Sequence, residues 1–231
     1  MPDTDPVFVI TGASTGIGAA TARAAAEAGY RVVLGARSED KLAELAAELG
    51  GDERALAVRC DVTEWQDQQS LVARALDAYG RVDVMFANAG SGGPRGFQAG
   101  DPEDWKAMVL TNVYGAALSI RAAAEPLKAT KGHLVLTSSV AGRRTLAGSL
   151  YSATKFAVTA MGEAARLDFN DTGVRVTVIE PGMVDTPFFE SPPEIDALQS
   201  EDIARAVLFA VSQPPHVDIN EIMLRPTAQP N

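Results

Sequence analysis

The chain has 231 residues, one large domain at about 150 residues per domain, and its 46% hydrophobic and 22% charged residues are those of a folded protein rather than a disordered one. Twenty basic against thirty acidic side chains leave a formal charge of −10. That argues against a basic face for nucleic acid or an anionic membrane, but not against a small anion held by a few local donors. The lone cysteine, Cys60, excludes an internal disulfide framework and points to a reducing compartment, the cytoplasm; with only His133 and His216 beside it, no metal site is expected. The acidic, proline-broken residues 1–6 lack the basic start of a secretory signal, and no uninterrupted run of about 18 apolar residues appears.

Taken in chain order, short apolar runs alternate with alanine-rich helical stretches. Strands are expected at residues 7–10, 32–34, 55–58, 82–87, 134–136, 174–179 and 217–224. Helices are expected near 17–28, 39–49, 64–79, 102–128, 149–170 and 201–212. Continuous apolar runs are the mark of strands buried on both faces, and repeated strand–helix–strand order calls for a parallel sheet with helices on both sides. Gly29 and Gly50-Gly51 stand where helix C-caps belong, and Ser38 and Ser200 where N-caps belong. The one irregular stretch, 181–193, carries four prolines; a loop that long is more often a binding segment than a linker. The expectation is a single doubly wound Rossmann-type α/β domain over 1–231, with a seven-stranded, mostly parallel sheet and a substrate loop at about 183–199.

The first strand runs into Thr11-Gly12-Ala13-Ser14-Thr15-Gly16-Ile17-Gly18. Glycines ahead of a helix let the backbone approach a pyrophosphate, which the helix N-terminus then holds. Three glycines alone read as well as a surface turn; following the first strand of an alternating pattern, they read as a dinucleotide site. Farther on, Tyr151 and Lys155 stand four apart, on one face of a helix. A free tyrosine titrates near pH 10, and an adjacent ammonium favours its phenolate. Tyr151 is then the general acid for carbonyl reduction and the base for alcohol oxidation, tuned by Lys155.

With these motifs the sequence resembles the short-chain dehydrogenase/reductase family, whose glycine motif is TGxxxGxG and whose catalytic signature is YxxxK. Asp61 ends the third strand, Asn88-Ala89-Gly90 matches the family's NAG element, and Pro181-Gly182 with Thr186 matches its PGxxxT segment. Ala87 replaces an asparagine common in relatives. The resemblance implies that Gly12, Ser14, Thr15, Gly16, Ile17, Gly18, Asp61, Val62, Asn88, Ala89, Gly90, Tyr151, Lys155, Pro181, Gly182, Val184 and Thr186 bind a nicotinamide dinucleotide. Asp61 would meet the adenine, and Lys155 the nicotinamide ribose. Asn112 would hold a water of a proton relay. The catalytic serine is Ser139 when aligned on SxAG, or Ser138 when counted back thirteen residues from Tyr151. Ser139 is chosen, with the loop to Tyr151 one residue short.

At the end of the second strand, Ala36 occupies the place of the acid that usually binds the ribose 2′-hydroxyl, and Arg37 and Ser38 follow. A guanidinium pairs with a 2′-phosphate, so NADP(H) is expected over NAD(H), with Glu39, Asp40 and Thr15 standing against it. The substrate should lie among residues 91–95, 143–150 and 183–193. Phe188 and Phe189 could close an apolar lid, and Arg95, Arg143 and Arg144 could bind a carboxylate. The tail resembles the NADP-dependent 3-hydroxy acid, serine-type branch of the family; His216 reads as packing.

The expected function is an NADP-dependent oxidoreductase passing hydride between nicotinamide and a small alcohol or carbonyl, a 3-hydroxy acid being one candidate. The alternatives are a catalytically silent dinucleotide sensor and an epimerase or dehydratase, for which the chain is short. Small-molecule substrate, homodimer or homotetramer, no nucleic acid and no membrane complete the expectation.

Overall fold

Successive side chains of a strand face opposite sides of a sheet, and here each side finds a layer of helices. The computed structural model describes residues 5–189 and 193–229. Residues 1–4 of the acidic start and 190–192 of the expected substrate loop lie outside the described residues. The elements are β1 (Val7–Thr11), α1 (Gly16–Glu27), β2 (Arg31–Ala36), α2 (Glu39–Glu48), β3 (Ala55–Arg59), α3 (Trp65–Tyr79), β4 (Val84–Ala87), α4 (Pro102–Val109), α5 (Gly115–Thr130), β5 (His133–Thr137), α6 (Leu150–Asp168), β6 (Arg175–Pro181), α7 (Ser200–Val211) and β7 (Glu221–Leu224).

The strands form one seven-stranded sheet in the order β3-β2-β1-β4-β5-β6-β7, and every pairing is parallel. Phe8, Ile10, Leu34, Phe86 and Ile179 face α1, α2 and α7, where Ala22, Leu42, Ile203 and Val207 are buried. Val7, Val9, Val33, Met85 and Leu136 face α3, α5 and α6, where Leu71, Ala123 and Val158 are buried. Burying a side chain such as leucine or phenylalanine contributes roughly 1.5–3 kcal/mol, so these two layers carry the fold.

Three local expectations are corrected. The helix expected over 102–128 is α4 and α5 joined by a π-helical turn, Leu110–Tyr114. On this turn the Asn112 side chain is hydrogen-bonded to the backbone of Ser91. The seventh strand begins at Glu221, because residues 217–220 are tied to β6 largely through side chains: Asp218 accepts from the Val176 N–H at 3.0 Å, and Thr177 donates to the Ile219 carbonyl. Gln199, not Ser200, caps α7, in a capping box with Asp202; Ser38 does cap α2 by position, without a side-chain bond.

By length and composition the 29-residue stretch Pro102–Thr130 would suffice to cross a membrane. In the fold it packs on the sheet, with Ala116, Leu118, Ala123 and Leu127 buried.

Candidate active site

The strand order reverses between β1 and β4, neighbours in the sheet whose onward connections leave in opposite directions. Such a switch point opens a crevice beyond the strand ends, where ligands of doubly wound sheets bind. Gly12 (φ +67) and Gly16 (φ +53) turn the chain there in the left-handed region. A Cβ on Gly12 would come within 2.9 Å of Ala89 Cα, and one on Gly18 would strike the Gly12 carbonyl. The turn is therefore packed to the backbone. Thr15, between Ser14 and Ile17, caps α1 by position without a side-chain hydrogen bond, so its hydroxyl takes no first-turn N–H group. Thr186 borders the crevice, its Cβ 3.3 Å from where a Gly16 Cβ would stand.

Asn88 stitches the crevice floor. Its side-chain amide donates to Thr11 O at 3.1 Å and accepts from Thr137 Oγ1 at 3.1 Å, while Thr11 Oγ1 accepts from the N–H groups of Asn88 and Ala89. On one flank an open hollow of about 660 Å³ is lined by Arg37, Ser38, Glu39, Asp40 and Lys41. Asp61 stands near it. Burial would raise its carboxyl, but hydrogen bonds from Thr63 and the charges of Arg37 and Arg59 hold it below the usual range. Val62, buried, packs against Gly115.

At the other end, α6 presents Tyr151 and Lys155 after its cap, where Ser149 accepts from the Ser152 N–H at 3.1 Å. Lys155 is buried, and its Nζ donates to the Thr137 carbonyl at 2.8 Å and lies 5.7 Å from the Tyr151 ring centre. Burial brings its ammonium down to about 8. Burial likewise pushes the Tyr151 phenol up to about 12, opposed by a hydrogen bond with Ser139. The lowering of Tyr151 expected from Lys155 is thus not found: burial raises the phenol, and the group opposing it is Ser139 rather than Lys155.

Of the two serines, Ser139 is the one close enough to act on Tyr151, opposing the rise of its phenol; its hydroxyl donates to the Pro181 carbonyl at 3.2 Å. Ser138 points the other way, donating to Lys155 O at 2.9 Å and lying 2.7 Å from Thr159 Oγ1. Asn112 is buried on the widened π turn. Its amide exchanges two 2.8 Å bonds with the backbone of Ser91 and donates to Thr154 Oγ1 at 3.0 Å. Gly90 lies between, since a Cβ there would be 3.4 Å from both Asn112 Oδ1 and Lys155 Nζ. Pro181, Gly182 and Val184 follow β6, held through Gly182 N–H to Leu224 O at 2.7 Å and the Val184–Leu198 bridge.

A glycine turn, Ser139 with Tyr151 and Lys155, and a buried asparagine thus gather at one end of the sheet. Residues 6–195 match the family model for short chain dehydrogenases. The chain belongs to the short-chain dehydrogenase family. It is 37% identical over 228 residues to an uncharacterized oxidoreductase of Staphylococcus saprophyticus, covering 96% of this chain and 97% of the other. An alcohol dehydrogenase from the archaeon Thermococcus sibiricus, solved with 5-hydroxy-NADP, superposes with a TM-score of 0.89 at 33% identity over 97% of each chain. The closed form of serine dehydrogenase with NADP+ does so at 0.89 and 29% identity over 96% of each.

In this short-chain dehydrogenase, one expected substrate group has other work. Arg143 gives its Nε to Glu180 at 2.6 Å and its Nη2 to Glu221, so it does not stand ready for a carboxylate. Glu180 is 1% exposed, and burial raises its carboxyl against the pull of Arg143. Thr159 donates to Glu180 at 3.3 Å and meets Ser138, linking the pair to the Lys155 backbone. Reading the sequence missed Glu180 and Thr159. The signals were there: a carboxylate among β6 apolar residues, and a hydroxyl four residues beyond Lys155. Arg95 and Arg144 are exposed. Among the described residues no group of three His, Cys, Asp and Glu could hold a metal ion. Cys60 is buried, its thiol pushed up to about 12 by burial, which makes it unreactive.

Proposed function

We propose that the chain is an NADP(H)-dependent oxidoreductase acting on a small alcohol or carbonyl compound, with the whole of 1–231 working as one catalytic unit. The observation that carries this is the convergence of Ser139, Tyr151 and buried Lys155, whose Nζ lies 5.7 Å from the Tyr151 ring centre, at one end of the crevice. The residues present fit a dinucleotide: backbone packed at Gly12 and Gly18 leaves N–H groups for a pyrophosphate, Asp61 and Val62 lie where an adenine would rest, and Pro181, Gly182, Val184 and Thr186 border the nicotinamide end. A bound nicotinamide supplies or accepts the hydride at the carbonyl carbon.

Everything else is the work of side chains. Ser139 and Tyr151 present two hydroxyls to one substrate oxygen, stabilising the negative charge that develops on it. Tyr151, protonated at neutral pH, gives its proton to that oxygen; in the reverse direction it takes the proton back. Lys155 keeps a cation near the phenolate that forms, and Asn112, fixed by Ser91 and Thr154, orders the path along which the proton is replaced.

Arg37 beside Ser38, with Ala36 in place of an acid, supports NADP(H) over NAD(H). Arg37→Asp is expected to raise KM for NADPH by about tenfold or more and to shift preference toward NADH; steady-state kinetics with both nucleotides checks it, and an unchanged ratio would remove Arg37 from the site. Exposed Val109, Leu110, Tyr114 and Phe156 support self-association as a dimer or tetramer, and the lone buried Cys60 suits the cytoplasm. Phe156→Lys is expected to shift the assembly toward monomer in sedimentation velocity. No feature of the site favours the silent sensor.

A further inference from the structure

We infer that the substrate is an uncharged carbonyl compound carrying an aromatic or similarly broad apolar group, and that Phe188 is the residue that selects it; this rests on the reading above for where the reacting oxygen lies. The Phe188 ring packs against the Tyr151 ring, centres 5.7 Å apart and planes at 57°. Phe189 meets Phe188 edge-on at 5.2 Å. Three rings, Tyr151, Phe188 and Phe189, therefore pack in succession. Gly92, in the segment after β4, leaves the room that Phe188 fills, since a Cβ there would come 2.7 Å from its Cζ.

The surrounding segments are apolar too. The loop at 92–97 is bonded to the loop before α6 through Gly96 N–H and Gly148 O at 2.9 Å. They carry Phe97 (60% exposed) and Leu146 (38%), with Phe188 (41%) and Phe189 (39%) on the third segment. A large apolar side chain held in water beside a reacting group, as Phe188 is beside Tyr151, marks a ligand surface, and its area is removed from water when an apolar ligand covers it; Phe97 packs edge-on against Trp105. A carboxylate brought onto this face would lose its hydration without an ion-pair partner: Arg143, the expected one, is taken by Glu180 and Glu221. Arg95 and Arg144 are exposed, as Arg37 is, and an exposed guanidinium holds a carboxylate through a screened, weaker pair than a desolvated one.

The test measures binding to the NADPH-loaded protein of two inert probes that differ in charge, methyl benzoate and benzoate, in the wild type, Phe188→Ala and Gly92→Ala. Methyl benzoate is expected to bind about tenfold more tightly. That preference should fall severalfold in both variants, in Gly92→Ala because its methyl displaces the Phe188 ring while Ser139, Tyr151 and Lys155 stay in place. Equal or tighter binding of benzoate, no binding of either probe, or an unchanged preference in Phe188→Ala overturns the inference. Reduction of benzaldehyde in Tyr151→Phe separates the two readings. A full rate in that variant overturns the proton-transfer assignment, while the probe preference stands or falls by its own measurement.

Discussion

Tyr151→Phe is expected to lower turnover about a thousandfold, roughly 4 kcal/mol of transition-state stabilisation, with the far-UV spectrum and nucleotide binding unchanged. The variant keeps the ring that packs on Phe188 and loses only the hydroxyl. Ser139→Ala should cost less, on the order of a hundredfold, because one of two hydroxyls still meets the oxygen. The pH dependence follows from burial. Tyr151, pushed up to about 12, stays protonated across the working range, whereas Lys155, brought down to about 8, loses its proton as pH rises through that value. kcat/KM for carbonyl reduction should therefore be level below about pH 8 and decline above it. A profile level to pH 10 would mean that the Lys155 charge is not needed.

Arg143→Met is expected to destabilise the fold by about 3–5 kcal/mol, the cost of leaving a buried carboxylate without its cation. Glu180 would keep only the 3.3 Å bond from Thr159. The sign with pH is distinctive. Burial raises the Glu180 carboxyl in the native state, and removal of Arg143 raises it further. A carboxyl whose native pKa lies above its unfolded one binds more protons folded than unfolded, so its contribution to stability falls as pH rises through that window. The deficit relative to wild type should thus be largest at neutral pH and shrink toward acid. His133, buried and held down to about 3 by burial and by Arg175, weakens both proteins alike in acid and cancels in the difference. Urea unfolding of the two proteins from pH 5 to 8 checks this. Because the pair connects through Thr159 and Ser138 to the Lys155 backbone, kcat should fall with stability.

The parallel sheet was legible because its strands are continuous apolar runs, and a strand buried on both faces needs no alternation to be recognised. The glycine turn and the Tyr151–Lys155 spacing were legible because each demands particular residues at fixed offsets. Less legible was whatever depended on which way a side chain turns. Adjacent Ser138 and Ser139 are equivalent as letters; only the packing of α6 against β5 sends one toward Thr159 and the other toward Tyr151. The π turn at Asn112 leaves no periodicity signal, and the bonds of Asn112 to Ser91, 21 residues away, are not written in local spacing. Arg143 read as a substrate group because its partners, Glu180 and Glu221, lie 37 residues away and farther in the chain. Burial also reversed the expected sign for Tyr151, which proximity to a lysine could not reveal.

The most direct test of the central claim is the oxidation of NADPH and of NADH by the wild-type protein against neutral aromatic aldehydes, ketones and oxo acids, with serine and 3-hydroxy acids in the reverse direction and Tyr151→Phe alongside. The account predicts turnover with NADPH, favouring the neutral aromatic carbonyls and lost in the variant. Failure of either nucleotide to bind, or turnover that survives in Tyr151→Phe, would contradict it.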